Sequence, residues 1–233
     1  MKRKTPITYK IAAVKIMAVV LAGHLLSCDK MDASYKVYTE NKDLIYVGKT
    51  DLLQKYPGRN RIKLGLKRPV DPKAVSLGLF WNNDASQMKM DIPTDAADTI
   101  FVQLNDMPEG SYTFDIFMYN STGKASVKTV IPASVYGEQY ESTLLNRSLK
   151  RLFVENGNQV IEWYAVDSTA VGTELIYTDL QESSHTVEVK PTDVFTPLPD
   201  IKRGSNLQYR TKYKPEAKAL DIFYSVYTSR KID

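Results

Sequence analysis

The stretch Ile100–Tyr119 reads IFVQLNDMPEGSYTFDIFMY, and its spacing decides the fold. Ile100, Val102 and Leu104 alternate with Phe101 and Gln103. After Met107-Pro108-Glu109-Gly110, a second alternation runs through Tyr112, Phe114, Ile116 and Met118. A period of two places every second side chain on one face, which is the signature of a strand with one buried side. Pro fixes φ and Gly admits positive φ, so the segment between the runs is a turn.

The pattern extends in both directions. Upstream, Ile62, Leu64 and Leu66 alternate with Arg61, Lys63 and Lys67, and Val75, Leu77, Leu79 and Trp81 make a further run. Breakers stand at Arg68-Pro69-Val70-Asp71-Pro72 and Ser121-Thr122-Gly123-Lys124. Downstream, Ile161 and Trp163, Leu175 and Tyr177, and Val187 and Val189 begin a second series. Leu207, Tyr209, Thr211 and Tyr213 continue it, and Ile222–Tyr227 closes it. Leu66 and Phe80 are fourteen apart, as are Trp163 and Tyr177, which suggests duplication of one unit. The expected fold is all-β: two tandem sandwiches behind an export signal. The strand ending at Leu104, the Met107–Tyr112 turn and the strand ending at Tyr119-Asn120-Ser121-Thr122-Gly123 resemble the E–F–G region of a fibronectin type III domain, an immunoglobulin-like sandwich. The resemblance implies that Tyr112 is a tyrosine-corner residue bonding upstream backbone, and Trp163 the buried tryptophan of the second sandwich.

Met1–Lys15 carries five basic residues, and Ile16–Leu26 is apolar apart from Gly23 and His24. That is a secretory signal, too short in its apolar core to span a bilayer as a mature helix. Leu25-Leu26-Ser27-Cys28 resembles a lipobox, which implies lipidation (a palmitate-type anchor) at Cys28. The expected organisation is 1–27 signal peptide, 28–36 lipidated tether, 37–134 first sandwich and 135–233 second sandwich, with a boundary near Ile131–Glu138. More than one acyl chain suffices for durable membrane attachment. Cys28 is the chain's one cysteine, so neither an intrachain disulfide nor a structural cysteine–metal site can form. Asp29-Lys30-Met31-Asp32 reads equally as a weak surface-transfer signal or a solvated tether.

Removing five cationic residues from the formal +4 leaves the mature chain near −1. It lacks the basic field that phosphate backbones require, so no nucleic-acid partner is expected. The mature chain, about 206 of 233 residues, suits two domains of about 100 residues.

Tyr46-Val47-Gly48-Lys49, Tyr56-Pro57-Gly58-Arg59-Asn60-Arg61, Pro69-Val70-Asp71-Pro72, Trp81-Asn82-Asn83, Glu109-Gly110-Ser111-Tyr112 and Asp221-Ile222-Phe223 carry a second resemblance. The chain is similar to a family of uncharacterised Bacteroidetes lipoproteins grouped as a domain of unknown function; Leu66 stands where such proteins often have tryptophan. The resemblance implies an outer membrane lipoprotein, on the cell surface or periplasmic face, within glycan-acquisition or adhesion equipment.

Catalytic motifs fail on their surroundings. Val47-Gly48-Lys49-Thr50 lacks the upstream glycine of a phosphate loop, since position 43 is Asp43. Ser121-Thr122-Gly123-Lys124 fits S-x-x-K but sits between strand patterns, as a hairpin tip. His185 is the one histidine after processing, beside Ser183-Ser184, and the carboxylates are too scattered to nominate a glycosidase pair. The expectation is therefore no enzyme, no cofactor and no metal, with hydrolysis a distant alternative. Outward aromatics supply the candidate ligand-binding residues. If Leu79 and Trp81 face inward, Phe80 faces outward, and so do Phe117 and Tyr119. The third and sixth strands of this sandwich are neighbours, so the three rings form one outer patch. It packs on the second domain or a loop, receives a protein, or stacks on sugar. Trp81 and Asn83 form a second candidate, with core packing the competing role for Trp81. The functional expectation is a noncatalytic, envelope-anchored module that binds glycan for nutrient capture, or else a structural adhesin or assembly component of a surface protein complex.

Overall fold

The computed structural model describes residues 47–93 and 98–232. Cys28, the export segment and the tether lie outside them. Strands appear in the order β1 (Leu52–Gly58), β2 (Arg61–Lys67), β3 (Ser76–Trp81), β4 (Ser86–Asp91), β5 (Thr99–Leu104), β6 (Gly110–Tyr119) and β7 (Thr129–Val135). A short helix, α1 (Glu138–Ser142), separates these from β8 (Leu149–Glu155), β9 (Asn158–Trp163), β10 (Ala170–Thr178) and β11 (Ser184–Val189). The series ends with β12 (Phe195–Leu198), β13 (Asn206–Tyr213), β14 (Phe223–Tyr224) and β15 (Thr228–Lys231).

Each half is two antiparallel sheets face to face. In the first, β1-β2-β5 covers β4-β3-β6-β7; in the second, β8-β9-β12 covers β11-β10-β13, with both β14 and β15 on the far side of β13. This is the A-B-E and C′-C-F-G arrangement of fibronectin type III domains, twice in succession. The alternating residues do what their period requires. Ile62, Leu64, Leu66, Ile100, Val102, Phe114, Ile116 and Met118 are buried together in the first core; Ile161, Trp163, Leu175, Tyr177, Leu207 and Tyr209 fill the second. Tyr112 donates its hydroxyl to the Pro108 carbonyl at 2.8 Å, closing the tyrosine corner. Trp163 is buried, and its indole N–H donates to Thr196 Oγ1 at 2.9 Å.

Three expectations need correction. The fourteen-residue spacing does not equate the third strands: Phe80 lies on the outer face while Tyr177 is buried in the second core. The run Ile222–Tyr227 is not one strand. Ser225 Oγ accepts the Thr211 N–H at 2.8 Å where a continuous ladder would use a carbonyl, and the strand restarts at Thr228. Pro132 does not interrupt the pattern either; it lies within β7, an edge strand, where a missing N–H is tolerated.

Two pairs of the second-family motifs meet in space. Asp71 accepts the Gly48 N–H at 3.0 Å. Arg59 forks onto Glu141 of α1 at 2.8 and 2.7 Å, and Arg61 forks onto Asp221 at 3.0 and 2.5 Å. Glu109 accepts the N–H groups of Gln139 and Tyr140, both at 2.7 Å, and so satisfies donors at the start of α1. Tyr136, Tyr140 and the fully buried Phe223 pack edge to face beside these ion pairs. The two sandwiches are therefore joined by paired charges and an aromatic cluster, with only a short helix between their strands.

Candidate functional site

β3 and β6 are hydrogen-bonded neighbours, with Gly78 opposite Phe117, Ser76 opposite Tyr119 and Phe80 opposite Asp115. Because period two turns Leu77, Leu79, Phe114, Ile116 and Met118 into the core, Phe80, Asp115, Phe117 and Tyr119 share the outer face. The rings touch: Phe80 meets Phe117 edge-on at a centroid distance of 5.9 Å, and Phe117 meets Tyr119 at 6.4 Å. All three are half-buried. Among the described residues, no ring of the second sandwich packs on them.

Gly78 explains how three rings fit on two strands. A Cβ there would lie 2.8 Å from Tyr119 Cε2 and 3.0 Å from Phe80 Cε2. The absent side chain leaves a shallow seat into which both rings lean. Polar groups border the seat. Lys89, opposite Gly78 on β4, places Nζ 5.8 Å from the Tyr119 ring centre. On the other side, Lys128 donates to Asp115 at 2.8 Å, which raises the lysine's pKa. The surface thus combines apolar ring area with two ammonium groups and a carboxylate. Stacking supplies area and the border supplies hydrogen bonds, a division usual in ligand sites.

The second candidate separates into two parts. Trp81 faces inward against Phe114, with centroids 6.1 Å apart, at the margin of the first core. Asn83 lies at an exposed turn where Asn82, Asn83 and Asp84 all have positive φ, and among the described hydrogen bonds none links it to the Phe80 patch. Its neighbour Asn82 bonds Ser86 Oγ at 3.2 Å, tying the turn to β4.

His185 acquires a partner that spacing did not disclose. Its Nε2 lies 2.7 Å from Asp179 Oδ2, and Tyr177 stacks on its ring. Asp179 also accepts the Gln181 and Ser183 N–H groups, so the pair ties down the β10–β11 turn. Among the described hydrogen bonds, no hydroxyl engages the other ring nitrogen. Ser121-Thr122-Gly123-Lys124 is the expected turn: Asn120 Oδ1 accepts the Lys124 N–H at 2.8 Å, and Gly123 has positive φ. Among the described residues, no group of His, Cys, Asp and Glu stands ready to hold a metal ion.

Sequence reading found the three rings because alternation alone assigns a face. It missed Gly78, because a glycine's role here depends on rings from the neighbouring strand. It also missed the Asp115–Lys128 border, which depends on register between β6 and β7.

A family model described as a domain of unknown function matches residues 28–223. Among solved structures, a two-domain fibronectin type III segment of chicken tenascin aligns over 78% of this chain and 96% of that one, at 15% identity and a TM-score of 0.31. The FN1–FN3 domains of chicken CNTN1 align over 81% of this chain and 65% of theirs, at 11% identity and a TM-score of 0.37. No curated protein matches.

Proposed function

The chain belongs to the DUF4998 family, and from that premise we propose that it is a noncatalytic binding module, held to the outer membrane by a lipid on Cys28, that presents its first sandwich to glycan for nutrient capture. One observation carries the reading: Phe80, Phe117 and Tyr119 form a continuous aromatic surface seated on Gly78 and bordered by Lys89 and the Lys128–Asp115 pair. An aromatic face needs no strand-specific geometry to hold the fold, since the core lies on the other side of the sheet. Sugar rings offer apolar C–H faces to such rings and hydroxyls to the polar border.

The test is a glycan array probed with residues 29–233, followed by titration of any hit. Phe117→Ala and Tyr119→Ala are expected to weaken binding measurably while the thermal midpoint barely moves. A large stability loss in both variants would make the patch structural. Silence on the array together with saturable binding to a purified surface protein would favour the adhesin role instead. Metabolic labelling with a fatty acid tests the anchor: label on the wild type and none on Cys28→Ala is expected.

A further inference from the structure

Beside the joint lies a cavity of about 380 Å³ whose lining includes Tyr136, Tyr140, Tyr213, Asp167, Thr169 and the exposed Leu145. Its charge is one-sided, because among the described residues no Lys, Arg or His lines it. Asp167 uses one carboxylate oxygen, Oδ1, for the Thr169 N–H at 2.7 Å and the Thr169 hydroxyl at 2.5 Å. Among the described hydrogen bonds its other oxygen, Oδ2, has none. Those bonds hold Asp167 below the usual carboxylate range, so it is ionised at neutral pH. Burial is the first cause that pushes the wall hydroxyls up; this carboxylate comes next for Tyr213, follows the neighbouring Tyr136 as a smaller contribution for Tyr140, and Glu216 comes next for Tyr136. The Tyr213 hydroxyl is spent on the Leu145 carbonyl at 2.6 Å, so what this tyrosine can offer a ligand is chiefly its ring.

Three aromatic walls, an ionised acceptor and no competing cation suit a positively charged organic group. A quaternary or primary ammonium gains from ring quadrupoles and from the carboxylate together, whereas an anion meets only repulsion. We propose that this tyrosine cleft binds an organic cation of the size of a choline or alkylammonium head group. The site is separate from the Phe80 patch and opposite to it in character, since ammonium groups border that patch.

Tetramethylammonium and choline, titrated into the purified protein against matched sodium chloride, test the assignment by tyrosine-ring NMR shifts. Saturable shifts at millimolar cation are expected, with none for a neutral hexose. Tyr213→Leu should weaken binding roughly fivefold to tenfold, the range of one desolvated cation–π contact, and Asp167→Asn, at a solvent-exposed carboxylate, roughly twofold to fivefold. Tyr213→Phe, which keeps the ring, should retain it. If Tyr213→Leu fails to fold, Asp167→Asn on the exposed rim decides alone. No saturable response to either cation, equal affinity in Asp167→Asn, or a preference for the hexose would overturn the proposal. Because the Phe80 patch is remote from these variants in sequence and element, loss of glycan binding there would leave this result standing.

Discussion

The Asp221 carboxylate stands where a side chain on Gly58 would have to go: a Cβ built at Gly58 lies 2.5 Å from Asp221 Oδ2. The glycine is not there for its φ. It is there so that Asp221 can reach the Arg59 N–H at 2.8 Å and the Arg61 guanidinium together. Gly58→Ala should therefore destabilise the protein by about 1–3 kcal/mol, the usual cost of forcing atoms into a filled site. Urea denaturation would measure it. An unchanged midpoint would mean that the joint yields freely.

Asp221 also makes the joint sensitive to acid. Burial raises its pKa, but the hydrogen bonds from Arg61 and the Arg59 amide outweigh this and hold it below the ordinary carboxylate value. Glu141 is lowered too, first by its hydrogen bonds to Arg59. A carboxylate depressed in the folded state contributes fully above its unfolded value, near 4, and loses that contribution as pH falls through the folded value. The urea midpoint should fall modestly on acidification below pH 4 in the wild type. In Asp221→Asn it should start lower at pH 7 and fall less. Parallel curves would show that Asp221 takes no part. Arg61 is over a third exposed, so solvent screening keeps this contribution small.

The joint shows what a single sequence discloses and what it withholds. Tyr56–Arg61 and Asp221–Phe223 stood out as family-like motifs, yet nothing in their local pattern says that they bind each other across 160 residues. Alternation fixes a face, so the cores, the tyrosine corner and the outward Phe80, Phe117 and Tyr119 were all legible. Register between strands is not encoded locally. Hence the Gly78 seat, the Asp179–His185 pair and the tyrosine cleft emerge only in three dimensions. Equal spacing misled at Phe80 and Tyr177 for the same reason, because counting residues says nothing about which face a strand presents. The break at Ser225 was hidden as well, since a buried serine hydroxyl can replace a backbone carbonyl without disturbing the apolar pattern around it.

Tyr112→Phe isolates the corner. The ring stacks on Phe114 at a centroid distance of 5.9 Å and would remain, while the hydroxyl bond to Pro108 would go. A net loss of about 1 kcal/mol is expected, the typical worth of one such bond. Thermal unfolding would read it as a lowered midpoint. No change would mean that the hydroxyl is equally well served by water.

Gly78→Ala separates patch geometry from patch composition. The new methyl would lie 2.8 Å from the Tyr119 ring and 3.0 Å from the Phe80 ring, too close for either to stay. Both neighbours are ends of side chains on an outer face, so they can swing away without moving the backbone. The core behind them, with Leu77 and Leu79 fully buried, is untouched. Stability should change by less than about 1 kcal/mol, as for a surface substitution. Ligand affinity at the patch should fall at least as far as in Tyr119→Ala, because two rings lose their positions instead of one. Titration of the same array-selected glycan into both variants would compare them directly. Retained affinity in Gly78→Ala would mean that the rings act singly and that their shared seat on β3 has no part in recognition.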